Sequence, residues 1–297
     1  MNIVKNRNTR NAYLFLLPAI IIFVLGLIVP LMNALELSFN RLSMGTPWVE
    51  RTFVGFENYT RMFADTGVQS SLSVTLQFAA IVLVVEMIIG LGLALLLEKP
   101  LAGAAIFRTI FILPLMVSPV AVGLIWRYLL DGRIGLVNQF IGIFGLEPQT
   151  WLGEPGLAFF SIIITDIWQW TPFIFIILLA GLQALPSEVL EASRIDGASW
   201  WQMTFRIKLP MLRSILLVTV LMRLIDVFRA LEVIFILTFG GPGRSTEVLS
   251  LNIYKTAFTS QALGYASTIA MLLMFIMLIL SLVLLLFSNP LQEKADF

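Results

Sequence analysis

Residues 191–210 read EASRIDGASWWQMTFRIKLP, a polar and charged island between two long apolar runs. Ser187 is placed to cap a helix start, and Glu188 and Glu191 to sit near its positive dipole end. Leu185, Val189 and Ala192 fall at helical spacing and give the segment one apolar face. Gly197 breaks this helix, and Pro210 is expected to close the segment that follows. In a membrane chain, such an island is a surface that meets a partner on one side of the bilayer.

That the chain is a membrane protein follows from its composition. Of 297 residues, 59% are hydrophobic and only 12% charged, and the mean hydropathy is +0.93. Soluble domains carry roughly 25% charged residues. A formal net charge of +1 argues against a nucleic-acid partner. The chain has no Cys and no His, which removes disulfides, thiolate and HExxH metal sites, Ser-His-Asp triads and His proton relays. No GxxxxGK[ST] motif occurs, so any ATP is hydrolysed by another chain. No catalytic or metal-ligating set emerges, and the chain reads as a non-enzyme.

Working outward from the island, six apolar stretches are long enough to cross about 30 Å of hydrocarbon as helices. They lie near 12–38, 70–97, 106–130, 157–183, 213–239 and 265–288. The expected architecture is all-α: a cytoplasmic tail at 1–11, one transmembrane domain at 12–288 and a cytoplasmic tail at 289–297. The first stretch follows basic residues as a signal peptide does, but it is too long for a cleaved segment and reads as a retained span. With six spans both termini share a side. That side holds ten Lys and Arg (Lys5, Arg7, Arg10, Lys99, Arg108, Arg194, Arg206, Lys208, Arg213 and Lys294), against six opposite. The positive-inside rule puts the termini and the 184–212 loop in the cytoplasm. The outer segments 39–69, 131–156 and 240–264 mix aromatics, Gly and Pro, which suits short interfacial helices and turns.

The island resembles the EAA loop of ABC-importer permeases, whose pattern runs Glu-Ala-Ala, three residues, Gly, nine residues, Ile-x-Leu-Pro. Glu191, Ala192, Gly197, Ile207, Leu209 and Pro210 fit with the spacing intact, and Ser193 replaces the third-position Ala. FVGFENY at 53–59, RTIFILPLMVSPVAVGLIWRYLL at 108–130, IWQWTPFIFIILLAGLQALP at 167–186 and LTFGGPG at 237–243 are also similar to segments of sugar-uptake permeases. The resemblance covers nearly the whole chain and points to the maltose-type, carbohydrate-uptake branch of type I importers.

The resemblance implies a multi-pass protein of a bacterial or archaeal inner membrane, surrounded by lipid. It implies a second homologous permease subunit in a heterodimer, two ATPase subunits that bind ATP and Mg, and an extracytoplasmic solute-binding protein delivering a carbohydrate. The permease chain itself needs no cofactor. Glu191, Ala192, Ser193, Arg194, Asp196, Gly197 and Ala198 are then the segment that couples to the ATPase. Glu191 and Arg194, at i,i+3, can pair with each other or with partner charges.

Charges inside spans are costly, by about 2.5–3.5 kcal/mol on insertion scales, and point to function. Span five carries Arg223, Asp226, Arg229 and Glu232 at three-residue intervals, a ladder of alternating sign. It can be a closed ion-pair ladder or a polar wall of the substrate pathway. By resemblance, ligand contacts in maltose-type subunits fall near Asp226, Val227 and Ala230 in span five and near Gln169, Trp170 and Phe173 in span four. A carboxylate at Asp226 can accept two sugar hydroxyls, Gln169 can donate and accept, and Trp170 can stack on a pyranose face. Asp166 lies one turn from Gln169 and Trp170. If Arg229 faces the cavity unpaired, an anionic sugar derivative or glycerol phosphate becomes an alternative substrate. A second alternative is an ion-coupled secondary transporter using Asp226 or Glu232 as an ion site. Glu86 and Arg127 are lone charges, the first deep and the second near a span end, from which it can snorkel. Pro114, Pro119 and Pro172 should kink their spans.

Overall fold

The computed structural model describes Tyr13, residues 15–98 and residues 103–288. The expected tails at 1–11 and 289–297, and Lys99, lie outside the described residues. The chain forms two compact units. One comprises residues up to Asp65 together with Ile253–Leu272, and the other comprises Thr66–Asn252 and Leu273 onward.

In the first unit, α1 (Phe15–Ser38) is a continuous apolar helix with a π turn at Val24–Ile28. The widened turn ends two residues before Pro30, which cannot donate a backbone hydrogen bond. After α1 the chain forms two short antiparallel strands, β1 (Asn40–Arg41) and β2 (Thr52–Phe53), with Asn40 opposite Phe53. These strands and an isolated antiparallel bridge between Ser43 and Ala262 depart from the all-helical expectation. The side-chain amide of Asn58, in α2 (Glu57–Ala64), donates to the carbonyls of Ser38 and Asn40, both at 3.0 Å. It thereby satisfies the last carbonyl of α1 and ties it to a carbonyl of β1. Tyr265 donates to Asp65 at 2.8 Å, and the Arg61 guanidinium lies 4.2 Å from its ring centroid.

The second unit is organised around α3 (Thr66–Leu96) and α7 (Pro155–Gln183). Gly90 lets them approach closely. A Cβ there would lie 2.6 Å from Ile174 Cγ2 and 3.3 Å from the Phe175 nitrogen. Close approach at small residues is how helices pack without a hydrophobic driving force between them. Below it, Ala94, Ile174, Phe175, Leu178, Leu182 and Leu212 form a buried apolar cluster.

Two expected spans are not single helices. Residues 106–130 form α4 (Ala104–Met116) and α5 (Pro119–Leu129), which meet at 99°. Pro119 does not kink a helix but starts one, as its fixed φ and missing N–H favour, and the Ser118 hydroxyl caps it by accepting from Ala121 N at 3.3 Å. Pro114 and Pro172 do lie inside helices. Residues 213–239 form α10 (Arg213–Phe228) and α11 (Glu232–Leu237), separated by Arg229–Leu231. The ladder of four charges is therefore not continuous, because the helix stops before its third member. The carbonyl of Ala230, freed at this break, accepts from the Ser250 hydroxyl at 2.5 Å. Among the described residues, four helices are long and apolar enough to cross a bilayer, or five when α4 and α5 count as one span.

The remaining elements are short, apart from the last. α6 (Leu136–Ile143) lies between α5 and α7, and α8 (Ser187–Ile195) follows α7. Next comes α9, which runs Trp200–Met203, a π turn at Thr204–Lys208, and Leu209–Met211. α12 (Leu249–Tyr254) and α13 (Leu263–Ser288) are the last helices among the described residues.

Candidate functional site

A cavity of about 250 Å3 lies within the second unit where α3, α7, α10 and α11 meet. Asp166 and Trp170 of α7, Arg223 and Asp226 of α10, and Arg229, Ala230 and Glu232 at the helix break all line it. Asp166 and Trp170 share a face of α7 because four residues make just over one turn. Asp226 follows Arg223 by three on α10. The break after Phe228 turns Arg229, Ala230 and Glu232 toward the same space, so an interrupted helix gathers residues that a straight one would spread around its axis.

Arg223 is the centre of this arrangement and is 1% exposed. Its Nε donates to Glu86 Oε2 at 2.7 Å and its Nη2 to Glu86 Oε1 at 3.0 Å, a two-point bond from α10 to α3. The same Nη2 also bonds Asp166 on α7. Nη1 faces Asp226 Oδ2 at a looser 3.7 Å, and the Trp170 ring centroid lies 5.2 Å from the guanidinium carbon. One buried cation thus ties three helices through carboxylates. Glu86 and Asp166 are committed to Arg223, whereas Asp226 keeps 44% of its side chain exposed toward the cavity. Arg229 and Glu232 are exposed, and neither makes an ion pair within the described chain. The wall presents hydroxyl acceptors at Asp226 and Glu232, donors at Arg229, and an indole face at Trp170.

Three expected residues are not on this wall. Gln169 is buried, its amide nitrogen donating to the Val117 carbonyl at 3.4 Å, so it serves the backbone opened by the bend between α4 and α5. Val227 is 1% exposed and packed. Phe173 stands edge-on to Trp170 at 6.3 Å and backs that ring rather than the cavity. In contrast, Phe78, Ile162, Leu231 and Val233 line the cavity and nothing in their local sequence marks them, and Pro119, expected only as a kink, lines it too. Arg127, beyond the cavity, donates to the Ile236 carbonyl at 3.0 Å. Another polar cluster lies at 244–252. There Glu247 is buried and accepts from Asn252 at 3.0 Å and Ser71 at 3.3 Å, with Arg244 at 3.1 Å. Only the spacing of these polar residues inside an apolar chain could have suggested it.

The 184–212 loop is a helix, a turn and a second helix. Ser187 does not cap α8: Pro186 takes the N-cap position, and Ser187 is the first helical residue. Gly197 adopts φ +77°. Ala198 N donates to Ser193 O at 3.0 Å and Gly197 N to Arg194 O at 3.1 Å, so two terminal carbonyls are closed by a left-handed cap that favours glycine. The Ser193 hydroxyl bonds back to the Val189 carbonyl. The next helix begins with a capping box, Ser199 accepting from Gln202 N at 3.3 Å and Gln202 accepting from Ser199 N at 2.8 Å. Pro210 does not close this segment. As before Pro30, a π turn absorbs the missing donor, and the chain stays helical to Met211. Glu191, Ala192, Arg194 and Ile195 are exposed on α8, as is Asp196 just after it, and Glu191 and Arg194 make no ion pair among the described residues. Trp201 stacks on Phe205 at 5.6 Å, and Trp200 meets Trp201 edge-on at 4.7 Å. All three rings are exposed.

The sequence pattern of the family described as binding-protein-dependent transport system inner membrane component matches residues 86–293. The chain is 37% identical over 247 residues to the trehalose/maltose transport system permease protein MalF of Thermococcus litoralis, covering 83% of each chain. It is 32% identical over 262 residues to the sulfoquinovosyl glycerol transport system permease protein SmoG of Agrobacterium fabrum, covering 88% of this chain and 85% of that one. Its fold matches a chain of a bacterial alginate ABC transporter solved with an alginate pentasaccharide-bound periplasmic protein. The TM-score is 0.80 at 23% identity, over 97% and 96% of the two chains.

Proposed function

Because this chain belongs to the family of binding-protein-dependent transport system inner membrane components, the permeases of ABC importers, we propose that its second unit lines the passage for a sugar, sugar alcohol or sugar derivative. The observation that carries this reading is the cavity at the α10–α11 break. There Asp226, Arg229, Glu232 and Trp170 offer acceptors, donors and an aromatic face inside an apolar helical chain. Polar groups at such depth are tolerated where they meet one another or line a wet pathway.

The charge balance favours a neutral substrate. Three carboxylates, at Asp166, Asp226 and Glu232, line the cavity against two guanidiniums. One of those guanidiniums is already held by Glu86 and Asp166. Arg229 alone offers an anion a partner, which keeps a singly charged sugar derivative as an outcome of the test rather than the first expectation. Asp226 and Glu232 stay open to the cavity, so ion coupling is disfavoured not by their geometry but by the family, whose members are binding-protein-dependent permeases.

In this reading α8, with exposed Glu191, Ala192, Arg194 and Asp196 ahead of Gly197, docks on a partner ATPase that binds ATP and Mg. A second permease subunit completes the passage in a cytoplasmic membrane, and an extracytoplasmic binding protein supplies the solute. ATP binding favours one of two global states, and this differential affinity drives alternating access. The test is to purify the chain with its partners from native membranes, reconstitute them, and measure uptake of neutral and anionic sugars. ATP-dependent, binding-protein-dependent uptake of a neutral sugar supports the proposal. Recovery of a homo-oligomer without an ATPase, taking up solute on an ion gradient, refutes it.

A further inference from the structure

Lys208 stands out among the charges of the 184–212 loop because it is buried, at 2% exposure, rather than presented outward. It is the last residue of the π turn in α9 and forms an ion pair with Glu98, two residues beyond the end of α3. The Glu98 side chain is 14% exposed. A lysine is almost never buried unless paired, so its position depends on Glu98. The π turn gives this placement its local cause. It inserts an extra residue into the helical path before Pro210 and so sets which face of α9 Lys208 occupies.

The same two stretches of chain are joined again at the cavity, where Glu86 of α3 holds Arg223 of α10 at two points. Between the joints, α3 is an unbroken helix from Glu86 to Leu96, about 15 Å along its axis. On the other side, α10 runs unbroken from Arg213 to Arg223 over a similar length. Two ion pairs therefore fasten α3 and the residues just after it, one to Lys208 within the loop and one to Arg223 at the cavity.

We propose that the Lys208–Glu98 pair is a positioning element that makes α3 move with the 184–212 loop. Displacement of the loop then reaches the cavity through α3 as well as through α10. This inference rests on the importer reading above, in which that loop meets the ATPase. Neither Lys208 nor Glu98 touches the cavity lining, so loss of the pair should affect coupling rather than substrate recognition.

The test uses the reconstituted complex and reads solute taken up per ATP hydrolysed, alongside the concentration of binding protein giving half-maximal uptake. Lys208→Met and Glu98→Gln should each lower the uptake-to-hydrolysis ratio by about fivefold or more, the lower end of typical inter-site coupling. The half-maximal concentration should stay unchanged. The charge reversal Lys208→Glu with Glu98→Lys should recover most of the ratio, which a purely local loss of packing would not predict. A wild-type ratio in Lys208→Met, or a reversed pair no better coupled than either single variant, overturns the inference and leaves the importer reading standing. A wild-type complex without ATP-dependent uptake overturns both.

Discussion

Replacing Arg223 by Met should be the most damaging single change in this chain. Met preserves much of the side-chain length but removes the donors that hold Glu86 at 2.7 and 3.0 Å and that bond Asp166. Both carboxylates then remain buried, at 0% and 5% exposure, without their cation. Removing one partner of a buried ion pair costs about 3–5 kcal/mol, most of it the penalty on the charge left behind. At about 2–4 °C per kcal/mol for chains of a few hundred residues, the melting temperature should fall by roughly 10 °C. The assay is thermal denaturation of the purified complex, followed by the fraction remaining monodisperse. The triple variant Arg223→Met, Glu86→Gln, Asp166→Asn removes the stranded charges and should regain most of the loss, because a neutral replacement of a buried ion cluster is often tolerated. An unchanged melting temperature in Arg223→Met, or a triple variant no more stable than the single, would refute the view that this arginine is held chiefly by its carboxylates.

Gly197→Pro forces φ from +77° to about −65° and removes the N–H that caps Arg194 O, so uptake should be uncoupled from ATP hydrolysis. Gly197→Ala is strained only by its backbone, since its Cβ meets nothing within 4 Å, and should be milder, costing about 1 kcal/mol of cap stability. Normal coupling in the proline variant would count against the cap. Asp226→Ala should reduce uptake while the purified complex keeps its composition, because Asp226 holds Arg223 only loosely and faces the cavity. Unchanged uptake would make the charge cluster purely structural. Asp131 accepts from Ile134 N at 3.0 Å and Arg133 N at 2.8 Å, and these bonds hold its carboxyl below the usual carboxylate range. Its contribution to the 131–134 turn is therefore full above the unfolded pKa and lost as pH falls through the lower folded one. Asp131→Asn should speed hydrogen exchange at Ile134 near neutral pH, and an unaltered rate would contradict this.

Hydropathy marked the long helices because each keeps lipid-compatible residues over more than twenty positions, a signal that needs no tertiary information. The 184–212 loop was legible only in part: the break at Gly197 is a local device and was read, whereas Ser187 is the first helical residue, a π turn absorbs Pro210, and the Ser199–Gln202 box, equally local, went unread. The breaks were harder to read. Pro119 carries a helix-start signal after Ser118, yet inside an apolar run the same proline reads as a kink. Nothing near Arg229 announces that α10 ends there. That break depends on partners far along the chain, such as Ser250 at the Ala230 carbonyl. Glu86 was visible as a charge out of place, but its partner is 137 residues away. Gln169 shows the opposite error, a polar residue beside Trp170 that serves backbone rather than cavity.

The unequal burial of the long helices has a consequence for how this chain can change over generations. The most apolar stretch of α7 has 67% of its residues buried within the chain, whereas that of α1 has none. Positions in α7 each carry a volume set by neighbours, as at Ile174 against Gly90, so drift there requires paired substitutions. Positions in the most apolar stretch of α1 have no such neighbours within the described chain, and, in the importer reading, many aliphatic exchanges there satisfy lipid equally well. Among orthologues of this chain, α1 should diverge quickly with hydropathy preserved, while α7 and its facing residues on α3 should covary.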